Sequence, residues 1–282
     1  MKYYLRAFIV LLLLAAAAAA ALVYSGIYPI DAASAHPMPL YHILHYTMRR
    51  SVAHHSQGIS PPRLDDTTRV RSGLALYREY CVQCHGAPGI APDPLARGMT
   101  PEPPNLMPTA RGWPPSEIYW AIRQGIKMTA MPAWRYRLSD EQIWDVVAFV
   151  EKMRELSPQE YKALDNTGRN TPRPSAPRAP WSPGGQLGDP AAGLRAIHQY
   201  LCATCHKIPG IAGEDQNVGP SLAGIGQRQY IAGVLRNTPE NMLRWLRDPP
   251  AVDPLTAMPN LRLREQDARD IAAYLYTLNE AP

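Results

Sequence analysis

Two pentapeptides constrain this chain more than any other feature: Cys81-Val82-Gln83-Cys84-His85 and Cys202-Ala203-Thr204-Cys205-His206. On a helical turn, cysteines three apart and the histidine that follows share one face. Two thiols and an imidazole so arranged match the attachment signature of a c-type haem: the thiols add across the two vinyl groups and the ring stands beneath the iron. A thioredoxin-type C-x-x-C wants a βαβ setting, and no strand-rich pattern surrounds either copy. A structural zinc site would leave both histidines unexplained. The two copies use all four cysteines. The sequence therefore predicts two covalently bound haem c groups, held by Cys81 and Cys84 and by Cys202 and Cys205, with His85 and His206 as axial ligands.

An iron that passes electrons without binding substrate needs a sixth ligand, and a methionine thioether raises its potential. Met131 and Met258 each lie in a Thr-Ala-Met-Pro tetrapeptide downstream of a histidine. The proline fixes φ and removes a backbone donor, which favours an extended loop able to present the sulfur. With ten methionines in the chain, core filling is the alternative for any one of them. Met128 is the rival to Met131; Met99, Met107 and Met242 read as packing. Each ligand histidine also needs an acceptor for its second ring N–H. The proline carbonyls of Pro104, in Pro-Pro-Asn-Leu, and Pro220, in Gly-Pro-Ser-Leu, are the candidates. Trp113, Trp120, Trp134, Lys127, Arg135 and Arg228 are possible donors to haem propionates, and none is singled out.

The chain has 282 residues, 30 prolines and only two phenylalanines, which suggests small, loop-rich domains whose cores are completed by a porphyrin. Net charge is +5, but residues 70–156 carry 10 basic and 9 acidic groups and residues 188–282 carry 9 and 10. The excess lies outside the predicted haem domains, which argues against a nucleic-acid partner.

In chain order, Lys2 and Arg6 precede an uncharged run from Ala7 to Ile30. It exceeds the roughly 7–15 residues of a signal-peptide core and reaches the roughly 20 that span a bilayer. Residues 1–30 are therefore expected to be a transmembrane anchor, with Ala33-Ser34-Ala35 keeping a cleaved signal segment open. Residues 31–69 read as a juxtamembrane amphipathic segment with Arg49 and Arg50 near lipid headgroups. His42 and His45, three apart, read as part of that helix rather than as a metal site. The first haem domain is expected over 70–156. Its closing helix starts at Leu138-Ser139-Asp140-Glu141-Gln142, with Ser139 as N-cap and Gln142 in the reciprocal position. A proline-rich linker is expected over 157–187, in which Pro158 and the prolines after it interrupt regular structure and Trp181 stands out. The second haem domain, 188–282, repeats the plan, closing on a helix from Leu263 through Leu278. Gly73 and Gly193 are expected where first and last helices cross, opposite Phe149 and Tyr274.

This ordered set of glycine helix, C-x-x-C-H, P-x-L, M-P and closing aromatic helix resembles the class I cytochrome c family, and it occurs twice. The resemblance implies an all-α fold: two tandem class I cytochrome c domains behind an N-terminal transmembrane helix. The stretch from Arg228-Gln229-Tyr230-Ile231-Ala232-Gly233 to Thr256-Ala257-Met258-Pro259 is similar to cytochrome c domains attached to haem-copper oxidases. No cysteines remain for the copper site found there, so the oxidase is expected as a partner and not as this chain's own activity. The implied function is electron relay in the bacterial cytoplasmic membrane, with both haem domains in the periplasm. The donor would be a quinol-oxidising complex, a dehydrogenase or a soluble carrier, and the acceptor a protein such as a terminal oxidase. A dihaem peroxidase and a cytochrome subunit of a larger dehydrogenase are the alternatives. No acid–base or nucleophilic constellation is visible apart from the haem ligands.

Overall fold

The computed structural model describes residues 2–33, 36–107, 112–168, 186–211 and 218–279. Among them regular structure is almost entirely helical. Helix α1, Lys2–Ser25, has a mean hydropathy of 2.7 and no buried residue. It is long and apolar enough to cross a membrane, a property that a signal sequence shares. Ser34 and Ala35 of the expected cleavage site lie outside the described residues.

Helix α2, Met38–His55, departs from the expectation at its C-terminal half. Arg49 does not reach towards headgroups. Its guanidinium pairs with Glu117 at 2.9 Å and lies 3.8 Å from the Trp113 ring centroid. His55 stacks on Trp120, and Val52 is buried. A partly desolvated carboxylate beneath an aromatic ring is a better site for an arginine than solvent. The helix thus docks on the first of the two folded units.

That unit is built from α3 (Thr67–Tyr80), a single turn α4 (Val82–His85), α5 (Pro115–Gln124) and α6 (Asp140–Met153). Asp66 caps α3 by accepting from the Thr68 and Arg69 amides. Ser139 and Gln142 form the expected reciprocal box at the start of α6. The face of α6 carrying Ile143, Val146, Val147 and Val150 is buried against Leu74, Leu76 and Tyr77 of α3. The two helices cross at Gly73, where an added Cβ would meet Phe149 Cβ at 2.9 Å.

The stretch expected to be linker from 157 opens instead with helix α7, Pro158–Gly168. Ser157 and Glu160 exchange side-chain and backbone hydrogen bonds as a capping box, and Pro158 takes the first helical position, where its missing N–H costs nothing. Tyr161 is only 2% exposed and packs into the first core. Trp181 and Gly184-Gly185 lie outside the described residues.

The second unit repeats the plan with α8 (Pro190–Gln199), α9 (Pro239–Arg247), the short α10 (Pro249–Val252) and α11 (Glu265–Leu275). Asp189 caps α8 as Asp66 caps α3. At Gly193 an added Cβ would meet Tyr274 Cβ at 2.9 Å. Strands β1, Tyr230–Ile231, and β2, Leu235–Arg236, form a two-residue antiparallel ribbon ahead of α9.

Asp145, on α6, has a carboxyl pushed up to about 6. Burial is the largest cause; it outweighs the Arg69 guanidinium 3.0 Å away, while the carboxylates of Glu141 and Asp66 add to the rise. A raised carboxyl holds its proton more tightly folded than unfolded. Its cost to the fold is absent below the ordinary value of 3.8 and fully present above about 6. The limit is about 3 kcal/mol. Asp145→Asn is expected to gain stability relative to wild type as pH rises from about 4 to 7. Denaturant midpoints at both pH values check it, and an equal difference at each would contradict it.

Candidate functional site

Each cysteine–histidine motif closes as one tight turn rather than continuing the helix before it. In the first, α3 ends at Tyr80, and Cys81 O accepts from the Cys84 and His85 amides at 3.1 and 2.9 Å. In the second, Leu201 takes φ +58, Cys202–Thr204 is a 3₁₀ turn, and Cys202 O accepts from the Cys205 and His206 amides at 3.3 and 3.0 Å. A full helix is unnecessary, since one turn already sets two thiols and a ring on one face. The buried Tyr77 hydroxyl donates to Gly86 O at 2.7 Å and holds the first turn closed.

Both histidines are oriented alike. His85 Nδ1 lies 2.8 Å from Pro104 O, and His206 Nδ1 lies 2.8 Å from Pro220 O. A carbonyl only accepts, so Nδ1 carries the proton, and Nε2 of each neutral ring keeps its lone pair. Burial holds the His85 ring below the ordinary imidazole range, against the Pro104 carbonyl, which raises it. The loops bearing these carbonyls share a device. Asn105 Oδ1 accepts from the Met107 amide at 3.0 Å, and Ser221 Oγ accepts from the Ala223 amide at 3.2 Å. Gly219 allows the second loop its approach, for a Cβ there would sit 2.6 Å from His206 Cε1.

The first thiol of each motif, Cys81 or Cys202, is not poised as a thiolate. Burial, with Cys84 second, pushes Cys81 up to about 12, and burial pushes Cys202 up to about 11. Neither setting is the electropositive one that activates a redox or zinc-binding cysteine. Among the described residues no group of three or more His, Cys, Asp or Glu side chains converges as a metal site.

Met131 packs against the same core as Cys81, and Met258 against the same core as Cys202. In each Thr-Ala-Met-Pro the threonine hydroxyl accepts the methionine's own amide: Thr129 from Met131 at 3.0 Å, Thr256 from Met258 at 3.2 Å. The paired hydrogen bonds explain why both tetrapeptides begin with threonine. Met128, the rival, is 86% exposed and takes φ +61. Met242 is buried in the second core.

Several of the propionate candidates pack or bond within the fold. Trp113 lies under Arg49, Trp120 under His55, and Trp134 packs on Tyr80. Arg228 donates to Ser221 O at 2.6 Å and Ala223 O at 2.9 Å, bracing the loop that follows Pro220. One hollow, of about 280 Å³, is not at either motif. It lies between the two units, lined by charged groups including Arg123, Arg135, Arg264 and Asp267, and has neither thiol nor imidazole. A smaller hollow of about 210 Å³ adjoins Cys84. Sequence reasoning missed Tyr77 and Gly219, whose roles depend on partners across the fold. The threonines at 129 and 256 were visible as a repeat, without a reason.

The donor set fits covalent haem at both turns: two thiols, an imidazole with Nε2 free, and a thioether on the same core. Known proteins agree. Residues 68–150 match the family model for cytochrome c oxidase, cbb3-type, subunit III, and residues 191–279 match that for cytochrome c. Cytochrome c oxidase subunit 2 of Alkalihalophilus pseudofirmus is 32% identical over 87 residues, 30% of this chain and 25% of the relative. The Bacillus subtilis protein of the same name is 31% identical over 86 residues, 30% and 24% of the two chains. The chain thus spans about a quarter of the length of these relatives. A solved structure, the Kuenenia stuttgartiensis reducing HAO-like protein complex, covers 79% of this chain and 100% of that chain at 19% identity. Its TM-score of 0.28 supports no structural argument.

Proposed function

From a chain that carries two cytochrome c-type domains in tandem, the chemistry of which is electron transfer, we propose a membrane-anchored dihaem relay. Cys81 and Cys84 would attach one haem c and Cys202 and Cys205 the other; His85 with Met131, and His206 with Met258, would hold the two irons. A haem so ligated supplies a reversible one-electron couple. The protein's part is orientation. The Pro104 and Pro220 carbonyls fix each ring's tautomer, and the Thr129 and Thr256 hydroxyls fix each methionine loop. The observation that carries the reading is the repeated 2.8 Å contact from histidine Nδ1 to a proline carbonyl. It leaves an iron-binding nitrogen free in both units.

Helix α1 is the anchor in this reading, single-pass in the bacterial cytoplasmic membrane, with residues 70–156 and 188–282 in the periplasm. The donor is a quinol-oxidising complex, a dehydrogenase or a soluble carrier. The acceptor is a terminal oxidase, in keeping with the oxidase names of the matching model and relatives. Co-purification from membranes, followed by identification of the attached proteins, tests both ends.

Carbon monoxide separates relay from peroxidase. Two methionine-ligated irons leave no open position, so the reduced full chain is expected to bind it slowly and in a small fraction. Rapid binding of one equivalent per chain would refute the relay and favour a peroxidase.

A further inference from the structure

Among the described residues the two units touch along a seam whose position is unexpected. On the first unit it consists of Ala133–Arg137, which begins two residues after Met131. On the second it consists of Arg264 together with Gln199 and Tyr200, the last residue of α8 and its cap, just ahead of Cys202. The Ala133 amide donates to Gln199 Oε1 at 3.3 Å, and the Arg137 guanidinium donates to Gln199 O at 3.2 Å. The Tyr200 hydroxyl reaches both Tyr136 O at 3.0 Å and Asp267 Oδ2 at 2.8 Å. The rings of Tyr136 and Tyr200 meet edge to face with centroids 5.9 Å apart, and the Arg264 guanidinium donates to Arg135 O. Ala133 and Tyr136 are buried within the second unit's core rather than the first's.

We propose that this seam is the route of electron exchange between the two haems, with Gln199 and Tyr200 as its positioning residues. The proposal deepens the dihaem reading and rests on it. Electron tunnelling weakens steeply with each gap that no bond or close contact fills. From the Met131 loop, the backbone through Pro132 to the Ala133 amide, one hydrogen bond to Gln199, and the backbone through Tyr200 and Leu201 lead to Cys202. The hydrogen bond is the one non-covalent link on that course. The exchange moves a single electron: one iron is oxidised as the other is reduced, with no bond made or broken and no proton transferred. The buried aromatic contact of Tyr136 with Tyr200 fixes the spacing of the two units beside the charged hollow.

The test uses the haem-loaded full chain in detergent and the double variant Gln199→Ala, Tyr200→Phe, with Arg137→Gln alone as a milder second variant. Mass spectrometry first counts covalent porphyrins; fewer than two in the wild type would overturn the dihaem reading and the route together. Amide hydrogen exchange then scores the seam itself. The Ala133 amide is expected to be protected in the wild type and to exchange about tenfold faster in the double variant, from the loss of two hydrogen bonds. Equilibration between the domains after photochemical injection of one electron is expected to slow several-fold, with both midpoint potentials unchanged. Arg137→Gln is expected to move both readouts the same way by less. A freely exchanging Ala133 amide in the wild type would overturn the seam. Unaltered equilibration in a variant whose Ala133 amide has been deprotected would overturn the route while leaving both haems in place.

Discussion

Met131→Ala is expected to abolish the methionine-to-iron charge-transfer band of the first domain and to lower that domain's midpoint potential. The fall is on the order of 100 mV or more, within the roughly 0.8 V that axial ligands control. The sulfur is a soft ligand that favours the reduced iron, and alanine offers no donor atom. The loop is prepared for this one side chain. Thr129 turns back from Ile126 O at 2.7 Å to hold the Met131 amide, and Gly125 packs where a Cβ would lie 2.6 Å from the Pro132 carbonyl carbon. Met128, exposed and three residues away, should be replaceable by alanine with the band intact. The second domain, with Met258, supplies an internal control whose band should persist in Met131→Ala. If the first domain's band survived in Met131→Ala and vanished in Met128→Ala, the ligand assignment would pass to Met128. Optical spectroscopy and redox titration of the same samples decide it.

Gly73→Ala is expected to destabilise the first unit by about 2 kcal/mol or more, and magnitudes set the sign. Alanine improves helix propensity over glycine by about 1 kcal/mol. Against that, the new Cβ would sit 1.9 Å from the Asp145 carbonyl oxygen. Overpacking of this kind costs about 1–3 kcal/mol, occasionally more, and here the obstacle is backbone inside α6 rather than a side-chain end able to swing away. Helix α3 leads directly into Cys81, so a displaced α3 should also reduce covalent haem at the first site. Gly193→Ala repeats the experiment in the second unit, where the Cβ would sit 2.0 Å from the Asp270 carbonyl oxygen. Gly112→Ala, with nothing within 4 Å, is the matched control. Thermal unfolding and haem content per chain are the measurements. A wild-type melting temperature in both Gly73→Ala and Gly193→Ala would show that the helices do not cross as closely as described.

Much of each site was legible in the residues because its parts are local. A C-x-x-C-H needs one turn of chain, a capping box needs four residues, and Thr-Ala-Met-Pro holds its methionine with its own threonine. The misreadings came from treating local composition as decisive. Proline counting assigned Pro158 to the linker, although Ser157-Pro158-Gln159-Glu160 carries both a capping box and the one helical position that suits proline. Arg49 was assigned to lipid because it lies near an apolar helix. Its partners, Glu117 and Trp113, are more than sixty residues further on and invisible to any local pattern.

The sequence by itself determined the two cysteine–histidine turns, the threonine-held methionine loops, the order of helices around each and the apolar run at the start, because those depend on short spacings and on helical periodicity. Only the tertiary structure decided how the copies face one another. The hydrogen bond from Ala133 to Gln199 spans 66 residues, and the one from Tyr200 to Tyr136 spans 64. Contacts of that separation arise from the packing of two finished cores, where shape and buried hydrogen bonds select one arrangement out of many that the same local patterns allow.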